Sequence, residues 1–117
     1  MRIGMISMRH PEMDSLIHQY WFRNIEVSQP GMTSAEVDEL CYQITLRKLA
    51  DIYRLNKPVR IAFYQTGFQA PLIGFWRAVV EFSRQGQGKP PMLEIIPYFY
   101  SKLLKRGKQY ERGECWH

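Results

Sequence analysis

Residues 59–100 read VRIAFYQTGFQAPLIGFWRAVVEFSRQGQGKPPMLEIIPYFY, and this stretch decides the fold. From Val59 to Tyr64 apolar side chains recur at every second position, which is the period of a β-strand. Residues 71–84 carry apolar side chains around most of a helix, which predicts a helix buried on more than one side. Residues 92–100 return to a strand pattern. Because a strand, a helix and a strand follow one another, we expect a right-handed crossover between two parallel strands.

Two sequence features refine the prediction for the second strand of this unit, residues 92–100. The segment before it, QGQGKPP at residues 85–91, predicts a connector without regular structure. Pro97 has no N–H to donate to a ladder, so we expect its strand to lie at a sheet edge or to contain a bulge there.

A long helix is predicted before this unit. Thr33, with Glu36 three residues later, forms a capping box in which each side chain satisfies a backbone amide of the first turn. Apolar residues then recur at spacings of three and four: Val37, Leu40, Cys41, Ile44, Ile52 and Leu55. Asn56, before Lys57 and Pro58, predicts the end of the helix.

The first part of the chain predicts a strand and a shorter helix. Residues 2–8 form a short apolar run typical of a buried strand. After Pro11 a helical spacing predicts about three turns that end near Arg23 or Asn24, with Met13, Leu16, Ile17, Tyr20 and Trp21 on one face. Residues 1–100 are therefore expected to form one α/β sandwich. Its sheet has three or four strands, at least partly parallel, and about three helices pack on it.

The charge of the chain is concentrated in its last segment. The 117 residues have a net charge of +5, and residues 101–117, SKLLKRGKQYERGECWH, contain five basic and two acidic residues. This segment therefore contributes three of the five net charges. Gly107 and Gly113 oppose a long helix, so we expect a basic C-terminal extension, either a tail or a short hairpin.

Basic residues and aromatic rings are interleaved in this region. Cations neutralise phosphates and flat rings stack on unpaired bases, so the pattern is typical of a surface for single-stranded nucleic acid. The main functional prediction is therefore a small binding protein for nucleic acid or a nucleotide. Its predicted contacts are Lys102, Lys105, Arg106, Lys108, Arg112, Tyr98, Tyr100 and Tyr110. The alternative is a solvated, charged terminus whose neighbouring rings pack in the core.

The loop after Tyr64 is a second candidate for anion binding. It leads directly into a helix, whose first amides are free to bind an anion. Gln65, Thr66 and Gln69 supply hydrogen-bonding groups, and Gly67 permits a close approach of the backbone. One glycine without a longer phosphate-binding motif is equally typical of an ordinary turn.

Two further functions remain open. Tyr20, Trp21 and Phe22 span a wide arc of a helix, so at least one of them is expected to be exposed or to lie under another chain. The alternative function is therefore a protein-interaction or assembly subunit, as a homodimer or with another protein, that uses this exposed aromatic cluster. A small enzyme acting on a phosphorylated substrate is the third hypothesis, with His10, Asp14 and His18 as the residues to consider. No complete catalytic or metal-ligand set accompanies them, so the sequence predicts no catalytic residue, metal or cofactor.

Composition indicates the setting in which the chain works. No stretch approaches the ~20 apolar residues that span a bilayer, so we expect a soluble protein without a membrane partner. The two cysteines, Cys41 and Cys115, cannot form a dense disulfide framework. Reduced thiols and a cytoplasmic location are therefore expected.

Overall fold

The computed structural model of the chain describes residues 1–6, 18–23, 30–55, 57–65, 69–84, 93–100 and 110–116. The strands in this part of the chain are β1 (Arg2–Ile6), β2 (Gln19–Phe22), β3 (Val59–Gln65), β4 (Leu93–Tyr100) and β5 (Tyr110–Arg112), and the helices are α1 (Ser34–Tyr53) and α2 (Gln69–Arg84). All five strands belong to one sheet, in the order β2-β1-β3-β4-β5.

The sheet is parallel except at one edge. β1 pairs in parallel with β2 and β3, and β3 pairs in parallel with β4. β5 runs antiparallel to β4. The predicted α/β class and the parallel crossover from β3 through α2 to β4 are therefore confirmed. The described sheet has more strands than the three or four expected. β2 lies where the sequence pattern predicted a helix, and β5 lies in the segment predicted to be a tail or a short hairpin outside the sheet.

The long helix α1 begins as its sequence predicts. The hydroxyl of Thr33 accepts a hydrogen bond from the Glu36 N–H at 3.1 Å, and Glu36 Oε1 accepts one from the Thr33 N–H at 3.3 Å. The capping box is thus confirmed. Gly31 precedes it with φ at +84°, a left-handed conformation that glycine adopts without strain. α1 ends at Tyr53, slightly before the predicted stop.

Both helices belong to one layer against the sheet. Phe75 of α2 stacks on Phe63 of β3 with ring centroids 3.7 Å apart and planes 9° from parallel. Trp21 of β2 lies 5.9 Å from Phe75, centroid to centroid. Val37, Cys41, Ile44 and Leu49 of α1 are buried in the same core. The helix-facing side of the sheet is therefore its main apolar side.

The two helices approach each other closely at Gly74 of α2. A Cβ atom at this position would overlap the carbonyl oxygen of Asp38 and would lie only 2.9 Å from the Tyr42 nitrogen and 3.0 Å from the Cys41 Cβ. The first two of these are backbone atoms of α1, which cannot turn aside as a flexible side chain can. Glycine is therefore required for this helix spacing.

The helix predicted after Pro11 is corrected in its second half. Gln19–Phe22 form strand β2, parallel to β1, where the prediction continued the helix to Arg23 or Asn24. Tyr, Trp and Phe all favour strands, and pairing with β1 supplies tertiary contacts that outweigh the helical spacing. A third helix is not confirmed, since residues 7–17 lie outside the described residues.

Pro97 does not mark a sheet edge, because β4 lies between β3 and β5. Tyr98 pairs with Arg112 and Ile95 bridges to Trp116, so three steps along β4 correspond to four along the partner segment. This offset is a bulge opposite Pro97, on the side where a proline N–H would otherwise be needed. The Pro97 carbonyl still accepts a hydrogen bond from Gly113 N–H at 2.7 Å. The edge interpretation was wrong, and the bulge lies in the partner segment.

Residues 110–116 belong to the sheet. After β5, Trp116 and Ile95 exchange backbone hydrogen bonds of 2.7 and 2.8 Å. The predicted basic extension over 101–117 is not confirmed, because 110–116 pair with β4 and 101–109 lie outside the described residues. The division into a domain of 1–100 and an extension stays a prediction. In the described part of the chain, neither helix combines the length and apolar character needed to cross a membrane.

Replacing Gly74 by alanine tests the helix contact. Overpacking costs roughly 1–3 kcal/mol, whereas alanine gains about 1 kcal/mol over glycine in helix propensity. The obstructing atoms include the α1 backbone, so the overpacking cost should lie in the upper part of its range. We therefore expect a net loss of about 1–2 kcal/mol in the free energy of unfolding, measured by urea denaturation. Ser83→Ala at an exposed position of α2 is the control. An unchanged or increased stability of Gly74→Ala would contradict the close approach.

Candidate nucleic-acid interface

Strands β4 and β5 bring predicted ligand-binding residues together. Tyr98 is the register partner of Arg112, and Tyr100 is the register partner of Tyr110. Paired residues of an antiparallel ladder lie on the same face of a sheet, and alternate positions return to that face. A predicted stacking ring and a predicted phosphate-binding cation therefore lie side by side at the edge of the sheet.

Tyr98 is also held from the other side, by Tyr64 of β3. The two residues are register partners, and their rings stack with centroids 4.7 Å apart and planes 10° from parallel. This separation equals the usual distance between neighbouring strands, ~4.8 Å. Both rings therefore stand on the sheet face opposite to Phe63, whose ring packs under α2.

The register continues this arrangement as a row across all five strands. From β2 to β5 it contains Tyr20, Gly4, Tyr64, Tyr98 and Arg112. We refer to these five residues as the cross-sheet row. Gly4 and Tyr64 are buried, Tyr20 and Tyr98 are half-buried, and Arg112 is exposed. The row is therefore covered at its centre and accessible at its β4–β5 end.

The charges near the row differ in how far they are neutralised. Arg60 Nε lies 2.9 Å from Glu94 Oε2, so this guanidinium has a carboxylate partner on the neighbouring strand. Among the described residues, no carboxylate lies within ion-pair distance of Arg2 or Arg112. Within these ranges, Arg2 and Arg112 are therefore cations of this face whose charge is available to an anion.

His18 positions Arg2 without neutralising it. The backbone N–H of Arg2 donates a hydrogen bond to His18 Nδ1 at 3.1 Å. The Arg2 guanidinium lies 3.3 Å from His18 Nε2, so the ring contacts both the backbone and the side chain of Arg2. His18 forms a bend directly before strand β2. His10 and Asp14 lie outside the described residues.

The described residues of the predicted anion-binding loop, Gln65 and Gln69, lie in two different environments. Gln65 is buried on the helix-facing side, where its Oε1 accepts a hydrogen bond from Trp76 Nε1 at 2.9 Å. Gln69 begins α2 and lines a cavity of about 420 Å³ together with Asp38, whose carboxylate disfavours an anion. Neither side chain lies on the sheet face that carries the cross-sheet row. Thr66 and Gly67 lie outside the described residues.

The aromatic cluster predicted for protein interaction is not an exposed surface. Trp21 is 3% exposed and packs toward α2, whereas Phe22 is fully buried on the opposite side of the sheet. Successive strand residues point to opposite faces, which explains how three aromatic residues in sequence are accommodated. Tyr20 is half-buried in the cross-sheet row. The expectation of an exposed aromatic cluster was therefore wrong for Trp21 and Phe22.

The remaining predicted contacts cannot be placed. Four basic residues lie outside the described residues: Lys102, Lys105, Arg106 and Lys108. For Tyr100 and Tyr110 the structure describes the backbone pairing alone. In the described ranges, no three His, Cys, Asp or Glu residues come together in a way that could hold a metal ion.

Sequence reasoning missed Tyr64 and Arg2 as neighbours of the site. The alternation in β3 indicates that Tyr64 and Phe63 face opposite sides of the sheet, but it does not indicate which strand lies next to Tyr64.

Comparison of the chain with protein-family models, curated protein sequences and solved structures finds no match. A functional assignment therefore depends on the geometry of the cross-sheet row.

Tyr64→Phe tests the buried centre of the row. Burial raises the pKa of Tyr64, the adjacent Tyr98 raises it further, and Arg2 acts in the opposite direction. In the unfolded chain a tyrosine ionises near pH 10, so above about pH 10 the unfolded state releases its proton first and stability falls. Phenylalanine cannot ionise, so we expect a smaller loss of stability between about pH 9 and 11, measured by urea unfolding. Identical pH profiles would contradict the raised pKa.

Proposed function

We propose that this protein binds single-stranded nucleic acid at the β4–β5 edge of its sheet. The observation that carries the proposal is the register pairing of Tyr98 with Arg112, next to the stacked ring of Tyr64. A flat ring and an exposed guanidinium in adjacent positions offer a base and its phosphate their two characteristic contacts. No base-specific hydrogen bonding is needed for this mode of binding.

Tyr64 prepares Tyr98 for stacking. Because Tyr64 is buried and lies parallel to Tyr98 at 4.7 Å, it fixes the orientation of a ring that would otherwise rotate. A fixed ring loses less conformational entropy when a base stacks on it. Tyr98 is half-buried, so part of the residue stays accessible.

The sequence itself supports a phosphate-binding role for this edge. Residues 101–109 contain four of the predicted cations, and this segment lies between the paired strand positions Tyr100 and Tyr110. Counted together with Arg112, five cations therefore lie in the part of the sequence that follows β4 and ends with β5. Arg2 adds a further cation on the same face, near Tyr64. Such a concentration of charge favours a polyanion and makes its affinity depend on salt.

Tyr98→Ala tests base stacking. Loss of a stacking ring costs about 1–3 kcal/mol per base, so we expect the Kd for a fluorescein-labelled single-stranded RNA decamer to rise about tenfold or more, measured by fluorescence anisotropy. Tyr98→Phe keeps the ring and should retain the affinity. Equal affinities of the wild type and Tyr98→Ala, or no binding by the wild type at low salt, would contradict the proposal.

Arg112→Ala tests the phosphate contact separately. The slope of log K against log salt should become shallower by about 0.7, with a similar loss for RNA decamers of any sequence. Arg47→Ala, which removes a cation from an exposed site on α1, is the matched control and should leave the slope unchanged. Competition with mononucleotides distinguishes a nucleotide pocket: a mononucleotide that displaces the decamer at equal concentration would argue for a nucleotide as the ligand.

A further inference from the structure

The outward side of α2 carries an apolar groove. Ile73 and Val80 are 50% and 49% exposed, and Leu72 and Trp76 lie beside them, partly exposed. With Tyr42 of α1 these residues line a cavity of about 640 Å³. Large apolar side chains exposed together on one helix face are typical of a protein contact surface. We call this surface the α2 groove.

The two ends of the α2 groove differ in charge. At the α1 side, the Arg77 guanidinium contacts Asp38 Oδ1 at 3.2 Å and Glu39 Oε2 at 2.9 Å, so two carboxylates share one cation. At the C-terminal end of α2, Arg84 is exposed and has no carboxylate partner among the described residues. Glu81 lies between these ends. The α2 groove therefore has an excess of carboxylate along its α1 side and an exposed cation at the C-terminal end of α2.

We propose that a second copy of this chain docks in the α2 groove, with the two α2 helices antiparallel around a two-fold axis. Ile73 and Val80 are seven residues apart, which places them two turns apart on one helix face. They are also equidistant from the midpoint between Trp76 and Arg77. A two-fold axis through that midpoint therefore packs Ile73 of each copy against Val80 of the other.

The same two-fold rotation brings groups of opposite charge together. It brings Arg84 of each copy toward the opposite end of the other copy's groove, where Glu39 and Asp38 lie. Every charge contact occurs twice, as a two-fold interface requires. Self-complementarity of this kind favours a second copy over an unrelated partner.

The docking surface is separate from the proposed nucleic-acid site. The α2 groove lies on the outer side of the helix layer, whereas the cross-sheet row lies on the face of the sheet away from the helices. A dimer formed through α2 therefore leaves both β4–β5 edges accessible. It would present two binding edges to one nucleic-acid strand.

Sedimentation equilibrium up to about 1 mM protein tests the apolar contact. We expect the wild type to self-associate to a dimer and Val80→Glu to weaken the association by about tenfold or more. Val80 is half exposed, so the substitution should leave the fold intact, as checked by circular dichroism. Leu55→Glu changes a residue that is 54% exposed beyond the end of α1 and should have no effect. A wild type that stays monomeric throughout would overturn the proposal.

A charge exchange tests the antiparallel arrangement. Arg84→Glu and Glu39→Lys each create two like-charge contacts in a dimer of identical copies, so each variant alone should be more monomeric than the wild type. In an equimolar mixture of the two variants, the new carboxylate of one copy meets the new ammonium group of the other at one contact. The native pair, Arg84 with Glu39, meets at the second contact, so the mixture should form a heterodimer. A mixture that stays as monomeric as its components, or a variant that dimerises as well as the wild type, would contradict the arrangement.

Discussion

The close contact of α1 with α2 at Gly74 is the constraint on which the rest of the structure depends. The missing side chain lets the α1 backbone pass directly beside α2, near Asp38 and Tyr42. With the helices at this spacing, the ring of Phe75 is directed onto Phe63 of the central strand β3. The helix pair therefore covers one face of the sheet as a single layer.

Side chains that alternate with Phe63 along β3 must lie on the other face of the sheet, so Tyr64 lies there. Parallel register then brings Tyr98 beside it, and the antiparallel strand β5 adds Arg112.

Local sequence signals predicted the elements that are specified locally. The capping box at Thr33 and Glu36 forms within four residues, and the strand, helix and strand of residues 59–100 each repeat their own period. Tyr20, Trp21 and Phe22 show where such signals fail. Their helical spacing with Met13 and Leu16 indicated a helix, whereas pairing with β1, a tertiary contact, makes them a strand.

The site could be predicted only in part for the same reason. Tyr98 and Arg112 stand out in the sequence because rings and cations are interleaved there. Their register pairing is accompanied by a one-residue bulge opposite Pro97. The proline indicated an edge or a bulge, but not that the extra residue lies in the partner segment. The involvement of Tyr64 and Arg2 depends on strand order, which periodicity does not report. The candidate site is thus a consequence of register, since Tyr64, Tyr98 and Arg112 come from three separate segments.

Nucleic-acid binding at the β4–β5 edge is tested residue by residue when ¹⁵N-labelled protein is titrated with an unlabelled single-stranded RNA decamer and followed by amide chemical shifts. Binding at this edge predicts that the largest saturable changes occur at Tyr98, Arg112 and their neighbours in β4 and β5, while the amides of α2 change little. Changes confined to α2, or none at β4 and β5 under saturating RNA, would contradict it.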